Sequence, residues 1–197
     1  MQLHRFRVEE FRVGFAESGV SSLQDSGQLE GHQGFHEGED SRMSTLNETI
    51  ASGLAQHYEL LASRIGELAR TLSDDQFWKK PFPFGNSFGH LVLHLIGNLN
   101  YYIGTEIAGT GYVRDRDREF AESARPPKDQ VMQRFDDAIT MVARTVHAQS
   151  EGEWSTPYTA MREENAGNRF NILLRCASHL HHHLGQMTYL QKELTRQ

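Results

Sequence analysis

The chain has 197 residues, 38% of them hydrophobic, and a formal net charge of −6 at pH 7. This length and composition suffice for one domain with a sizeable core. The acidic balance, without a lysine- and arginine-rich run, argues against nucleic acid or an anionic membrane as partner and leaves a small molecule as the expected ligand. The single cysteine excludes an internal disulfide framework. Because no signal-peptide pattern is present either, we expect a cytoplasmic protein.

The first 42 residues carry no sustained hydrophobic repeat. From Gly14 to Arg42 the sequence is rich in Gly, Ser, Gln, Glu and His, and such a segment buries too little apolar surface to offset the entropy of ordering it. We therefore expect residues 1–42 to form a disordered N-terminal extension and residues 43–197 to form the folded domain. Thr45 and Glu48 have the spacing of a capping box, which predicts that the first helix starts at Thr45.

Four amphipathic patterns follow and predict an all-α four-helix bundle. The first runs from Leu46 to Leu72 in three- and four-residue steps, and the second spans about Ser87–Ala108. Residues 81–105 include no Asp, Glu, Lys or Arg, so we expect the second helix to be central. The third begins after two prolines, and the fourth begins at Asn168 as the N-cap.

Two connections between these helices are long. Gly109–Arg125 is charged and is expected to be a solvated surface segment that crosses the bundle or forms a lid, although its arginines are also candidates to meet an anionic substrate. Glu151–Gly167 contains Gly, Pro and Trp and is expected to be a loop at the mouth of a site.

The fourth helix places two histidines, His179 and His183, in its hydrophobic stripe. Burying imidazoles costs free energy unless their nitrogens find partners, and side chains four residues apart on a helix are close enough to share one cation. The pair therefore predicts half of a metal site. His181 and His182 fall on other faces and are expected to face solvent. Cys176, one turn earlier, is expected to be a small buried thiol rather than a ligand.

The second helix carries a polar but uncharged strip that fits an internal pocket. A third histidine from this strip would complete a site for Zn²⁺ or a similar ion, with one position left open, and the spacing leaves both His90 and His94 as candidates. Metal-bound imidazoles need a hydrogen-bond partner for their second nitrogen. Further pocket or hydrogen-bonding candidates are Asn98, Tyr101, Gln186 and, at the edge of the first helix, His57.

Two stretches taken together, NSFGHLVLHLIGN at Asn86–Asn98 and HLHHHLGQM at His179–Met187, resemble the DinB-like family of metal-binding four-helix bundles. The resemblance covers about residues 45–194. It implies an up-down-down-up bundle, often dimeric, and a divalent metal bound by His94, His179 and His183, which leaves His90 as a pocket residue. Characterised members of the family include thiol-dependent transferases and isomerases.

This resemblance implies an enzyme in which Zn²⁺ or Ni²⁺ activates a low-molecular-weight thiol or water for attack on a small electrophile. Because no Asp or Glu stands out as a general base, a metal-dependent hydrolase is the nearest alternative. A non-catalytic metal-binding module for stress response is a second alternative. A third is a bundle without metal, whose histidines are satisfied by one another and by the backbone.

Overall fold

The computed structural model describes residues 37–121 and 123–196, and side-chain environments from residue 46 onward. Its elements, in chain order, are α1 (Glu37–Arg70), α2 (Asp74–Trp78), α3 (Phe88–Leu99), a π-helix (Asn100–Thr105), α4 (Arg116–Ala121), α5 (Lys128–His147), α6 (Glu151–Trp154), β1 (Pro157–Tyr158), β2 (Gly167–Asn168) and α7 (Arg169–Leu194). The strands β1 and β2 pair antiparallel just before α7.

The four long helices α1, α3, α5 and α7 form a bundle. Helix α1 packs against α5 and α7, and α3 packs against the same two helices. Their inward faces share one hydrophobic core, in which Tyr58, Leu95, Phe135 and Ile172 are fully buried. The expected all-α four-helix bundle is confirmed, whereas the up-down-down-up order stays a prediction.

Helix α1 begins at Glu37, so the predicted helix start at Thr45 is wrong. Thr45 lies inside the helix, because the sequence from 37 to 44 has no proline to interrupt helical geometry. The spacing of a capping box does not by itself mark the start of a helix. The predicted disordered extension lies outside the described residues as far as position 36, and positions 37–42 belong to α1.

Helix α3 is the central helix, as its lack of charge predicted. All twelve of its residues are buried, and the Ser87 side chain caps its start by accepting a hydrogen bond from the His90 main-chain N–H. At Asn100 the backbone changes to the wider π-helix, so the predicted Ser87–Ala108 helix is helical to Thr105 but not α-helical throughout. In the described part of the chain, no helix is long and apolar enough to cross a membrane.

The connections contain more structure than the sequence predicted. Between α1 and α3, a capping box formed by Ser73 and Gln76 starts α2, whose Phe77 and Trp78 are buried under the bundle end. Helix α4 lies within the charged connection and packs against α3. Asn168 caps α7 as expected, its side chain accepting a 2.9 Å hydrogen bond from the main-chain N–H of Asn171.

Tyr58 in α1 joins the first and last helices, because its buried hydroxyl donates a 2.6 Å hydrogen bond to the main-chain carbonyl of Leu173. Tyr58→Phe removes this bond and leaves the ring in place. We expect the free energy of unfolding, measured by chemical denaturation, to fall by about 1 kcal/mol. Tyr189→Phe, at an exposed position of α7, is the matched control. Equal losses in the two variants would contradict this role of the Tyr58 hydroxyl.

Candidate metal centre

Three imidazoles from two helices converge at one point of the bundle. Nε2 of His179 lies 2.9 Å from Nε2 of His94 and 3.2 Å from Nε2 of His183. His94 comes from the middle of α3, and the other two stand one turn apart on the facing side of α7. His94 and His183 are buried and His179 is half-buried. One ligand atom from each of the three lies within 4.8 Å of the others, a grouping that can hold a metal ion.

The second ring nitrogen of His183 is held by an amide. Nδ1 of His183 donates a 2.8 Å hydrogen bond to Oε1 of Gln186. The amide is oriented in turn by exposed His182, whose Nε2 lies 3.2 Å from Nε2 of Gln186. Because Nδ1 of His183 carries the hydrogen, its Nε2 is the unprotonated nitrogen that faces the other two rings.

The second ring nitrogen of His94 is held by a buried carboxylate. Nδ1 of His94 donates a 2.8 Å hydrogen bond to Oε2 of Glu119, whose side chain is only 6% exposed. Arg114 grips both oxygens of the same carboxylate, through Nε at 2.7 Å and Nη2 at 2.9 Å. Burial alone raises the pKa of Glu119, but the hydrogen bonds from His94 and Arg114 outweigh it and lower the pKa. The carboxylate therefore stays ionised and fixes the tautomer of His94.

These contacts leave the three facing nitrogens short of hydrogens. His94 and His183 both turn unprotonated Nε2 atoms toward His179, which can offer at most one Nε2 hydrogen to these two acceptors. Protonating a ring is opposed by burial first and by the neighbouring imidazoles second, which lower the pKa of His179 to about 3. Burial likewise lowers the pKa of His183 to about 4. A shared cation satisfies all three nitrogens, because neutral imidazole nitrogen is a metal ligand.

The separations of the nitrogens also fit a metal. Ligand nitrogens at about 2.0–2.1 Å from a tetrahedral Zn²⁺ lie roughly 3.3 Å apart. The observed 2.9 and 3.2 Å differ from that spacing by a few tenths of an ångström. Two of the three separations therefore suit an ion of this size, and the third ligand pair lies within 4.8 Å.

Glycine at position 97 lets Glu119 reach His94. A Cβ on Gly97 would clash with Oε1 of Glu119 and would lie 2.7 Å from its carboxyl carbon. Gly97 is one turn beyond His94 on α3, so the carboxylate passes over the bare backbone of the helix to reach the imidazole. The glycine is thus explained by this close approach.

A cavity of about 550 Å³ opens beside the histidines. His94 and His179 line it, together with Asn98, Tyr102, Cys176 and several charged side chains from the connections. Asn98 is 7% exposed, and its Oδ1 accepts no hydrogen bond from any described residue. An unsatisfied buried acceptor costs about 1–3 kcal/mol. Asn98 Oδ1 bears this cost without a partner among the described residues.

The comparison with protein families agrees with this geometry. The sequence model of the DinB superfamily matches residues 57–187. The chain belongs to the DinB superfamily. This DinB match includes all three converging histidines and Glu119. No curated protein and no solved structure matches the chain.

Several residues singled out in the sequence lie elsewhere in this DinB domain. His90 is not in the cluster: its Nδ1 lies 2.6 Å from Oγ of Ser87, and its ring meets the edge of Trp78. His57 is exposed on α1 and does not line the cavity. Cys176 borders the cavity as a buried thiol, and burial raises its pKa well above the usual range.

Tyr101 does not line the cavity beside the histidines, whereas Tyr102 does. On an α-helix, Tyr101 would share the face of His94, which is seven residues away. The π-helix that begins at Asn100 has more residues per turn, so the next tyrosine takes that face. Tyr101 instead lines a neighbouring cavity together with Tyr102 and Arg114, and its role as a pocket residue stays a prediction. His181 and His182 are exposed, as predicted.

The charged connection was expected to be a solvated surface segment that crosses the bundle or forms a lid, but the side chains of Glu119 and Arg114 within it are largely shielded from solvent. Glu119 is buried in the DinB domain and Arg114 is largely covered, at 6% and 9% side-chain exposure, and they support His94. Because both residues are far from His94 in sequence, local spacing could not predict these contacts. One signal was available: a glycine within an uncharged, buried helix indicates that another group approaches closely.

The lowered pKa values of His179 and His183 predict an acid-sensitive fold in the metal-free protein. Between pH ~6.5 and ~4, unfolded chains bind protons on both imidazoles and native chains do not, so acidification favours unfolding. Each histidine contributes at most about 1.4 kcal/mol per pH unit to this loss. Denaturation across this pH range should show a shallower dependence in His179→Gln/His183→Gln than in the parent. His57→Gln, at an exposed position, should keep the parental slope; an unchanged slope in the double variant would contradict the prediction.

Proposed function

We propose that this DinB protein is a metal-dependent enzyme in which His94, His179 and His183 hold one divalent ion, with Zn²⁺ and Ni²⁺ as the leading candidates. The reaction proposed is the attack of an activated thiol or water on a small electrophile. DinB proteins are often metal-dependent enzymes, which supports this assignment. The observation that carries it is the convergence of three Nε2 atoms, two of them from rings whose Nδ1 hydrogen is already donated elsewhere.

Each supporting residue has a definite task in this proposal. Glu119 and Gln186 hold His94 and His183 in the tautomer whose Nε2 is free to bind. Arg114 keeps the Glu119 carboxylate ionised and in place. When bound, the ion supplies Lewis-acid chemistry that lowers the pKa of a thiol or water coordinated to it. Three protein ligands leave a position for that group, and the cavity beside His94 and His179 gives it access.

The nucleophile has to come from outside the chain in this proposal. Cys176 is buried and its pKa is raised, so it remains a neutral thiol. Glu119 has both oxygens engaged by His94 and Arg114, which makes it a positioning residue rather than a general base. A low-molecular-weight thiol or water fits the cavity equally well. A thiol transferase and a metal-dependent hydrolase are therefore both compatible with the site.

The first prediction of this proposal concerns metal content. Protein purified without a polyhistidine tag should bind close to one divalent ion per chain by elemental analysis. Alanine at His94, His179 or His183 should abolish stoichiometric binding, because each substitution removes one of only three ligands. His181→Ala is the matched control, because this exposed residue lies on the same helix and should leave the metal in place.

His90→Ala tests the choice between the two histidines of α3. Retention of one ion per chain in His90→Ala, with loss in His94→Ala, is the expected pattern. Loss of the ion in His90→Ala with retention in His94→Ala would show that His90, and not His94, is the third ligand. Full metal content in all of the cluster variants would reject the metal site.

The second prediction concerns Glu119. Glu119→Gln keeps the size of the side chain but removes the charge that Arg114 and His94 share, so the tautomer of His94 is less firmly held. We expect affinity for Zn²⁺, measured by competition with a chelating dye, to fall about 10- to 100-fold. Glu163→Gln, which removes a carboxylate that lines the cavity beside the histidines and pairs with Arg175, should change the affinity little. Equal affinities for Glu119→Gln and the parent would contradict the positioning role.

A further inference from the structure

The cavity beside the three histidines is cationic in a chain that is acidic overall. Four arginines line it, against one carboxylate, Glu163, whereas the whole chain has a net charge of −6. The arginines are Arg114, Arg116, Arg162 and Arg175. A positively charged cavity attracts anionic ligands even when the net charge of the whole chain is negative.

Two of the four arginines are already paired with carboxylates. Arg114 binds both oxygens of Glu119, and Arg175 donates to Oε2 of Glu163 at 2.8 Å. For Arg116 and Arg162, no carboxylate among the described residues forms an ion pair with the guanidinium. These two side chains keep their planar sets of N–H donors available to a ligand.

Both unpaired arginines are held near the cavity by their surroundings. The guanidinium carbon of Arg116 lies 5.3 Å from the ring centre of Phe120, which itself packs on His94. Arg162 has φ +71°, a left-handed conformation that is costly for a residue with a side chain. Its main-chain N–H donates a 2.9 Å hydrogen bond to Oε1 of Glu164, which maintains this conformation.

The loop that carries Arg162 is tied to the bundle on both sides. The hydroxyl of Tyr102 donates to the main-chain carbonyl of Met161 at 3.0 Å. From α7, Arg175 donates to the main-chain carbonyl of Asn165 at 2.8 Å and binds Glu163. The loop is therefore anchored before and after Arg162, so the fold sets the main-chain position from which this exposed side chain reaches the cavity.

We propose that the substrate of this site is a small organic anion, whose carboxylate or phosphate group is bound by Arg116 and Arg162 beside the metal-binding histidines. This inference rests on the proposed function for the position of the reacting group, but the two arginines bind the anion independently of the ion.

The test is calorimetric titration of the full chain, zinc-loaded and metal-free, with succinate, its neutral isostere succinamide, and inorganic phosphate at low ionic strength. We expect succinate or phosphate to bind and succinamide not to bind. Arg116→Gln/Arg162→Gln should weaken anion binding by about tenfold or more, since charge-assisted hydrogen bonds are lost. Arg118→Gln, which removes a charge from α4 outside the cavity, should change it by less than about twofold.

Metal content is measured on the same samples, so the two proposals are judged separately. Zinc-loaded protein that binds neither succinate nor phosphate overturns the anion site alone. Succinamide binding as tightly as succinate, or a double variant that binds anions like the parent, also overturns it. A parent chain that takes up no zinc overturns the proposed function, and anion binding by the metal-free protein then decides the arginine site by itself.

Discussion

The shortage of hydrogens among three buried imidazole nitrogens governs the centre of this molecule. His94 and His183 have each committed one nitrogen to an acceptor, and only His179 can offer a hydrogen between them. Protonation of His179 or His183 would supply another hydrogen, but burial opposes the charged form and lowers the pKa of both rings. One bound cation would stabilise this arrangement, because it accepts a lone pair from each of the three nitrogens and requires no hydrogen between them.

The bundle maintains this arrangement by excluding charge from one helix and supplying it from a connection. Helix α3 is buried along its whole length and brings an imidazole but no counter-ion. The counter-ion is Glu119 of α4, and Arg114 forms an ion pair with its carboxylate. Since a lone buried carboxylate is costly, removing any one of the three groups leaves the other two with a weaker or missing partner.

The sequence predicted the parts of the site that depend on regular helical spacing. Two histidines four residues apart in a hydrophobic stripe already indicate a shared ligand, and Gln186 lies one turn from His183 on the same helix. Glu119 escaped prediction because its contact with His94 depends on how a charged connection folds back over α3. The position of Tyr102 at the cavity could not be predicted, because a π-helix shifts the face presented by later residues and the local spacing of the sequence does not reveal that change. The choice of His94 over His90 required the resemblance to a family.

The bare backbone at Gly97 also restricts how the sequence of this protein can vary. A side chain at position 97 and a glutamate at position 119 cannot occupy the same space, so the two positions are linked even though they belong to different elements. Alanine at position 97 would fit only beside a shorter acid at position 119. Aspartate is shorter, but the main chain at position 119 would then have to lie closer to His94 for the carboxylate to reach the imidazole. A side chain at position 97 therefore displaces the Glu119 carboxylate, which links residues 97 and 119 in related proteins that keep this buried carboxylate.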